Sequence, residues 1–242
     1  MDAQERKPDF SNSAYLFPSI HPEGLRFGFI AIALACATAV GALWVPVLWT
    51  LVLPMFLLAY GVFLFFRNPD RYPPDDPSAL LSPADGRVCL VQEVPLPEEL
   101  YAGDGAKPAL PADGKVWRVS VFMSVFNVHV NRMPFAGTFA RKVYVKGKFF
   151  NASLDKASKD NERCIYLVRT ASGAEYGVVQ IAGLVAKRIV PFVNEGDARG
   201  TAEVFGLIRF GSRLDVYLPP GVKSAVRVGQ VMVSGETVLG RL

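Results

Sequence analysis

Forty consecutive residues, 27–66, contain no Asp, Glu, Lys or Arg. A membrane-crossing helix needs roughly 20 predominantly apolar residues, so this run is long enough to cross a bilayer twice. Pro46 or Pro54 marks a bend between two helices, and a helical hairpin is the economical reading; a single tilted span or a re-entrant pair would use the same residues. A soluble core helix of such length would alternate with polar positions, and this run does not. Arg6, Lys7 and Arg26 lie before it, Arg67 and Arg71 after it. Basic flanks stay on the cytoplasmic side, so both ends are expected there. Small-residue spacings within 33–37 resemble a signal cleavage site, but the apolar run continues far past them, which makes the segment a retained anchor.

The remainder reads as strands. Residues 116–130, 139–150, 164–170, 175–181 and 203–218 are rich in Val, Ile, Phe and Tyr, alternate with period two, and break at Gly or Pro. Only 153–163 looks helical or loop-like, 91–115 with its prolines and glycines reads as an exposed excursion, and 222–242 as short strands turned at Gly229, Gly235 and Gly240. The expected architecture is mainly β: a β-rich sandwich or barrel-like domain over 67–242, preceded by an α-helical membrane hairpin at 25–66 and a polar tail at 1–24. A Pro-rich connector, 67–78, opens the β domain.

Cys36, Cys89 and Cys164 are odd in number, far apart and without a Cys-x-x-Cys pattern, so neither a disulfide framework nor a zinc site is indicated and no metal is expected. The net charge of +4 comes without a Lys/Arg block, which gives a nucleic-acid partner no support and suits an anionic lipid surface.

His21 and His129 are the two histidines; His21 precedes the apolar run, so His129 serves the β domain. Strand alternation places Phe126, Val128 and Val130 on one face and Asn127, His129 and Asn131 on the other. Asp85, in Pro-Ala-Asp-Gly, reads first as a turn residue whose carboxylate bonds local amides. Around Ser212, alternation gathers Ile208, Phe210, Ser212, Leu214, Val216 and Leu218 on an apolar face, with Arg209, Gly211, Arg213 and Asp215 on the other. A hydroxyl buried in that way needs a partner, and a neighbouring carbonyl would satisfy it. The Gly-Ser pair also suits autocatalytic serinolysis. Gly211 leaves its carbonyl open and tolerates strained dihedrals, Ser212 would attack that carbonyl after giving its proton to His129, and Asp85 would orient the imidazole. Elimination would then leave a pyruvoyl group at position 212, an electron sink that forms a Schiff base with an amino substrate. The order Asp85, His129, Ser212 equally suits a membrane-anchored serine hydrolase, although Ser212 lacks the Gly-x-Ser-x-Gly elbow. A non-catalytic, membrane-tethered β module is the third reading.

Five stretches, in order, resemble the short bacterial form of the phosphatidylserine decarboxylase proenzyme family: Phe-Phe-Arg-Asn-Pro-Asp-Arg (65–71), Ser-Pro-Ala-Asp-Gly-Arg-Val (82–88), Phe-Asn-Val-His-Val-Asn-Arg-Met-Pro (126–134), Asn-Ala-Ser-Leu-Asp-Lys-Ala-Ser-Lys-Asp-Asn-Glu-Arg (151–163) and Arg-Phe-Gly-Ser-Arg-Leu-Asp-Val-Tyr-Leu-Pro (209–219). The resemblance implies cleavage between Gly211 and Ser212, a covalent pyruvoyl cofactor derived from Ser212, and Asp85 and His129 as partners in self-cleavage. It implies conversion of membrane phosphatidylserine to phosphatidylethanolamine and CO2 at the cytoplasmic face of the bacterial inner membrane. The two chains of one precursor would stay together as a heterodimer, with higher homo-oligomers open. Longer members carry Gly-Ser-Thr and a second histidine; this chain has Phe-Gly-Ser-Arg and, at the second position, Arg132, so His129 would serve both as base in processing and as proton donor in turnover. Arg209 and Arg213, or Lys187 and Arg188, are candidates for the phosphate or carboxylate of the headgroup.

Overall fold

The structure is a computed structural model that describes residues 19–100, 114–150, 160–183, 188–209 and 211–242. It divides into two compact units, the first ending at Asp70 and the second beginning at Arg71.

The first unit is a helix pair. Helix α1 (Pro22–Gly41) starts with proline at its first position and with the His21 Nδ1 accepting from the Glu23 amide at 3.2 Å, a combination that satisfies otherwise orphaned donors. After a bend, a 3-10 turn (Pro46–Leu48) leads into helix α2 (Trp49–Phe65). Pro46 therefore marks the bend, while Pro54 lies inside α2. Gly24 and Gly28 are four residues apart and share a face, where α2 comes so near that a Cβ at Gly24 would fall 2.2 Å from the Phe66 side chain and one at Gly28 2.4 Å from Phe63. Small residues at this spacing let two helices approach closely without an aqueous hydrophobic drive. The open end is tied by backbone bonds from His21 N to Phe66 O (2.9 Å) and from Asn68 N to Ser19 O (2.6 Å). Both helical segments are long and apolar enough to cross a membrane, and their outward faces carry Phe29, Leu34, Leu53 and Leu57.

The second unit is mainly β. Among the described residues its strands are β1 (Ala79–Leu81), β2 (Gly86–Pro95), β3 (Lys115–Met123), β4 (Val130–Arg132), β5 (Gly137–Val145), β6 (Arg163–Arg169), β7 (Glu175–Ala182), β8 (Arg188–Pro191), β9 (Ala198–Arg199), β10 (Val204–Arg209), β11 (Ser212–Tyr217), β12 (Val231–Met232) and β13 (Val238–Arg241). An eight-stranded sheet runs in the order β12-β2-β3-β11-β7-β6-β5-β9, a three-stranded sheet in the order β4-β10-β8, and β1 pairs with β13. The paired strands are antiparallel. Strand β11 sits at the heart of the large sheet and every one of its residues is buried. One face packs Val119, Val121, Met123, Tyr166, Leu214 and Val216 into the main core. The other gathers Val116, Ile165, Leu167, Val179, Ile181 and Tyr217 under Leu96 and Leu100.

Three expectations need correction. The excursion expected at 91–115 is strand β2 as far as Pro95 and then a helical turn, Glu98–Leu100, whose Leu100 is buried; 101–113 lie outside the described residues. The strand expected over 116–130 ends at Met123, because Asn127 closes a turn, its Oδ1 accepting from the Ser124 amide (2.9 Å) and hydroxyl (2.8 Å). The strand expected over 203–218 is two strands in different sheets, β10 and β11. The segment 153–163 is described only from residue 160.

Candidate functional site

The chain changes sheets just before Ser212. Strand β10 ends at Arg209, Gly211 adopts φ +67°, and Ser212 begins β11. No atom crowds the place a Gly211 Cβ would take, so this glycine is required by its left-handed backbone and not by lack of space. Ser212 is paired in register with Met123 on β3 and Ala182 on β7. It is fully buried, and its hydroxyl donates to the Met123 thioether at 3.9 Å. Phe210 lies outside the described residues.

His129 is fully buried. The alternation that put it in a strand fails, because 124–129 form the turn that precedes β4; Phe126 is 83% exposed there while Val128 is buried. Its Nδ1 lies 2.9 Å from the Asn127 carbonyl. A carbonyl can only accept, so Nδ1 carries the proton and the basic lone pair of the neutral ring is on Nε2. The His129 carbonyl in turn accepts from the Ile208 amide at 3.3 Å, tying the turn to β10 four residues before Ser212. Ser212 and His129 are not hydrogen-bonded to each other in this structure.

Asp85 departs from the orienting part expected of it. Its carboxylate is gripped by Arg71 at 2.9 and 2.8 Å and accepts from the Ser234 amide at 2.8 Å; it makes no hydrogen bond to His129. The reason is local: the turn at 82–85 is clasped to the turn at 233–237, with Ser82 N bonded to Thr237 O (2.7 Å) and Gly235 N to Ser82 O (2.8 Å). Asp85 thus links residues on the two sides of position 212.

Arg213 is not placed to meet a headgroup. It is fully buried and forms a two-pronged ion pair with the equally buried Asp215, Nε to Oδ1 at 2.6 Å and Nη2 to Oδ2 at 2.9 Å. Residues two apart on a strand share a face, which explains the pair; that face is covered by the second core and not by solvent. Arg209 is half-buried and stands directly opposite the exposed Arg188 in the β10–β8 register. Like charges directly opposite are destabilising. Lys187 lies outside the described residues.

Cys164 is buried, which pushes its thiol up to about 11, and burial also raises Cys89; both stay protonated and non-nucleophilic near neutrality.

Sequence reasoning did not assemble a buried polar chain that ends at Ser212. Tyr166 donates to Gln180 Oε1 (2.8 Å), Gln180 Nε2 donates to Asn131 Oδ1 (2.8 Å), and Asn131 Nδ2 reaches the Met123 sulfur (3.7 Å) that Ser212 also contacts. Gly206 makes room for it, since a Cβ there would meet Gln180 Nε2 at 2.7 Å. The signal available in sequence was Gln180, a lone amide inside Gly-Val-Val-Gln-Ile-Ala.

Known proteins resemble this chain along most of its length. The family model described as phosphatidylserine decarboxylase matches residues 59–240. A protein named phosphatidylserine decarboxylase proenzyme from Novosphingobium aromaticivorans is 50% identical over 95% of this chain and 89% of its own length. Proteins of the same name from Erythrobacter litoralis (50% identical; 95% and 90% covered) and Zymomonas mobilis (46%; 99% and 94%) are similar along nearly their whole lengths. These matches define a lipid-headgroup lyase and set aside the tethered binding module. The chain belongs to the phosphatidylserine decarboxylase family.

Proposed function

We infer that this chain is a proenzyme that cuts itself between Gly211 and Ser212 and then decarboxylates phosphatidylserine to phosphatidylethanolamine at the cytoplasmic face of a bacterial inner membrane. The observation that carries the reading is the junction itself: a left-handed Gly211 at a change of sheet, followed at once by a fully buried serine. In the uncut chain this serine is enclosed in the core of a sheet, next to the carbonyl of its own preceding peptide.

His129 takes the Ser212 proton through Nε2, the nitrogen left basic by the Asn127 carbonyl. The hydroxyl gives up only a thioether contact, a weak acceptor whose loss costs little. A pyruvoyl group made at position 212 supplies the electron sink for loss of CO2, and the dry surroundings of Met123, Ala182 and Leu214 fit such a carbonyl-bearing group by excluding water. Arg188 and Arg209 hold the substrate's phosphate or carboxylate. The turn after Met123 exposes Val125 (45%) and Phe126 (83%), an apolar rim suited to a lipid, and the helix pair keeps the enzyme at the bilayer.

Intact-mass spectrometry of the purified protein beside its Ser212→Ala variant tests the reading. The wild type is expected as two chains, one ending at Gly211 and the other starting with a ketone-bearing residue, with the variant whole. A wild type that stays in one piece in membranes sinks the proposal. For the arginine pair, Arg188→Ala and Arg209→Ala in fully cleaved enzyme should each raise KM for phosphatidylserine about tenfold or more, the size of a lost charge-assisted hydrogen bond, with little change in kcat. An unchanged KM in both would remove the pair from substrate binding.

A further inference from the structure

The buried chain that ends at Ser212 has a direction. Burial pushes the Tyr166 phenol far above its ordinary value, so it keeps its proton, and in the structure it donates to Gln180 Oε1. Gln180 must then present Nε2 to Asn131 Oδ1, which leaves the Asn131 amide with its N–H side toward Met123. Two good donors, Asn131 Nδ2 and Ser212 Oγ, therefore converge on one thioether at 3.7 and 3.9 Å. Sulfur of this kind is a poor acceptor. Among the described residues, the Met123 sulfur is the acceptor that both donors reach.

Self-cleavage turns the Ser212 Oγ from a donor into a stronger acceptor. When Ser212 Oγ loses its proton to His129 and bonds to the Gly211 carbonyl carbon, the bond from that carbon to the residue 212 nitrogen breaks and the nitrogen takes a proton, leaving an ester. His129, its proton returned to that nitrogen, then takes the residue 212 Cα proton, the Cβ–Oγ bond breaks, and Oγ departs as part of the Gly211 carboxylate; water hydrolyses the remaining dehydroalanine to the ketone and ammonia. Oγ is electron-rich when it gives up its proton, passes that charge to the Gly211 carbonyl oxygen as it attacks, and gains negative charge again as the leaving atom of the elimination.

We propose that Asn131 is a catalytic donor in this maturation: its amide, aimed by Tyr166 and Gln180, leaves the Met123 sulfur and donates to Ser212 Oγ as charge builds on it. Met123 serves as a placeholder that holds both groups in the precursor and competes weakly for them. Tyr166 and Gln180 are positioning residues. The proposal rests on cleavage at Gly211–Ser212.

The test compares the rates at which full-length Asn131→Asp and Met123→Leu chains convert to two chains in detergent or membranes, read by gel and intact mass. Asn131→Asp keeps an acceptor for Gln180 and loses the donor; maturation is expected to slow about a hundredfold, as when one oxyanion donor is removed. Met123→Leu removes the same N–H···S contact from the other side, and maturation should proceed at the wild-type rate or faster. A purely structural contact would make the two variants alike, so equal slowing overturns the proposal, as does wild-type maturation of a folded Asn131→Asp chain. If Asn131→Asp does not melt cooperatively in a Ser212→Ala background, Met123→Leu decides: a tenfold slower maturation overturns the proposal, and an unchanged or faster one upholds it. A wild type that never splits would instead defeat the cleavage reading, a separate outcome.

Discussion

Replacing His129 by alanine is expected to leave the chain uncut, with self-cleavage slowed by about 10²–10⁴, the usual contribution of a positioned base. The ring is not readily replaced by solvent, because it is fully buried and its Nδ1 is committed to the Asn127 carbonyl. Ser212 is equally enclosed, so water is poorly placed to take its proton. A time course of intact mass for His129→Ala, against wild type and Ser212→Ala, measures the effect. The variant must melt like Ser212→Ala for the comparison to count; cleavage at the wild-type rate would assign the base elsewhere.

The second large effect concerns stability. Asp215→Ala removes the two-pronged ion pair from the Arg213 guanidinium in the core, where both partners are fully buried. Breaking a buried pair by removing one partner costs about 3–5 kcal/mol, a large share of a domain's typical net stability. Denaturant unfolding in detergent, in a Ser212→Ala background so that one chain is followed, should show that loss. The double replacement Arg213→Met with Asp215→Leu should recover most of it, since two buried charges exchanged for apolar groups of similar volume are often neutral or better. A loss below about 1 kcal/mol for Asp215→Ala would mean that water reaches the pair, contrary to its burial.

The helix pair was legible because a charge-free run of forty residues has few other solutions, and the β character because Val, Ile and aromatic residues alternate. The strand ends were not. Ser-Val-Phe-Asn-Val-His keeps the period of a strand, yet the Asn127 side chain folds it into a turn. Ile-Arg-Phe-Gly-Ser-Arg-Leu also keeps that period, and only the positive φ of Gly211 shows that the chain changes sheets there. Burial of β11 on both sides removed the rule that one face is polar, which is how Arg213 came to be offered as a candidate for the headgroup. The partners of Asp85 and Asn131 were invisible for another reason. Arg71, Ser234, Gln180 and Tyr166 are brought to them by turns and pairing across distant segments, and no local periodicity encodes such meetings.

The strands that follow Ser212 are threaded through the whole β unit: β11 lies between β3 and β7, β12 against β2 and β13 against β1. With the 211–212 bond cut as proposed, refolding of the denatured enzyme would require two separate polypeptides to find each other, and recovery would depend on concentration. The short piece would also need its place in the middle of a sheet held open for it. Cleavage there would turn one chain into an assembly whose fold is inherited from its precursor, and its persistence would then be set by the rate of unfolding more than by an equilibrium.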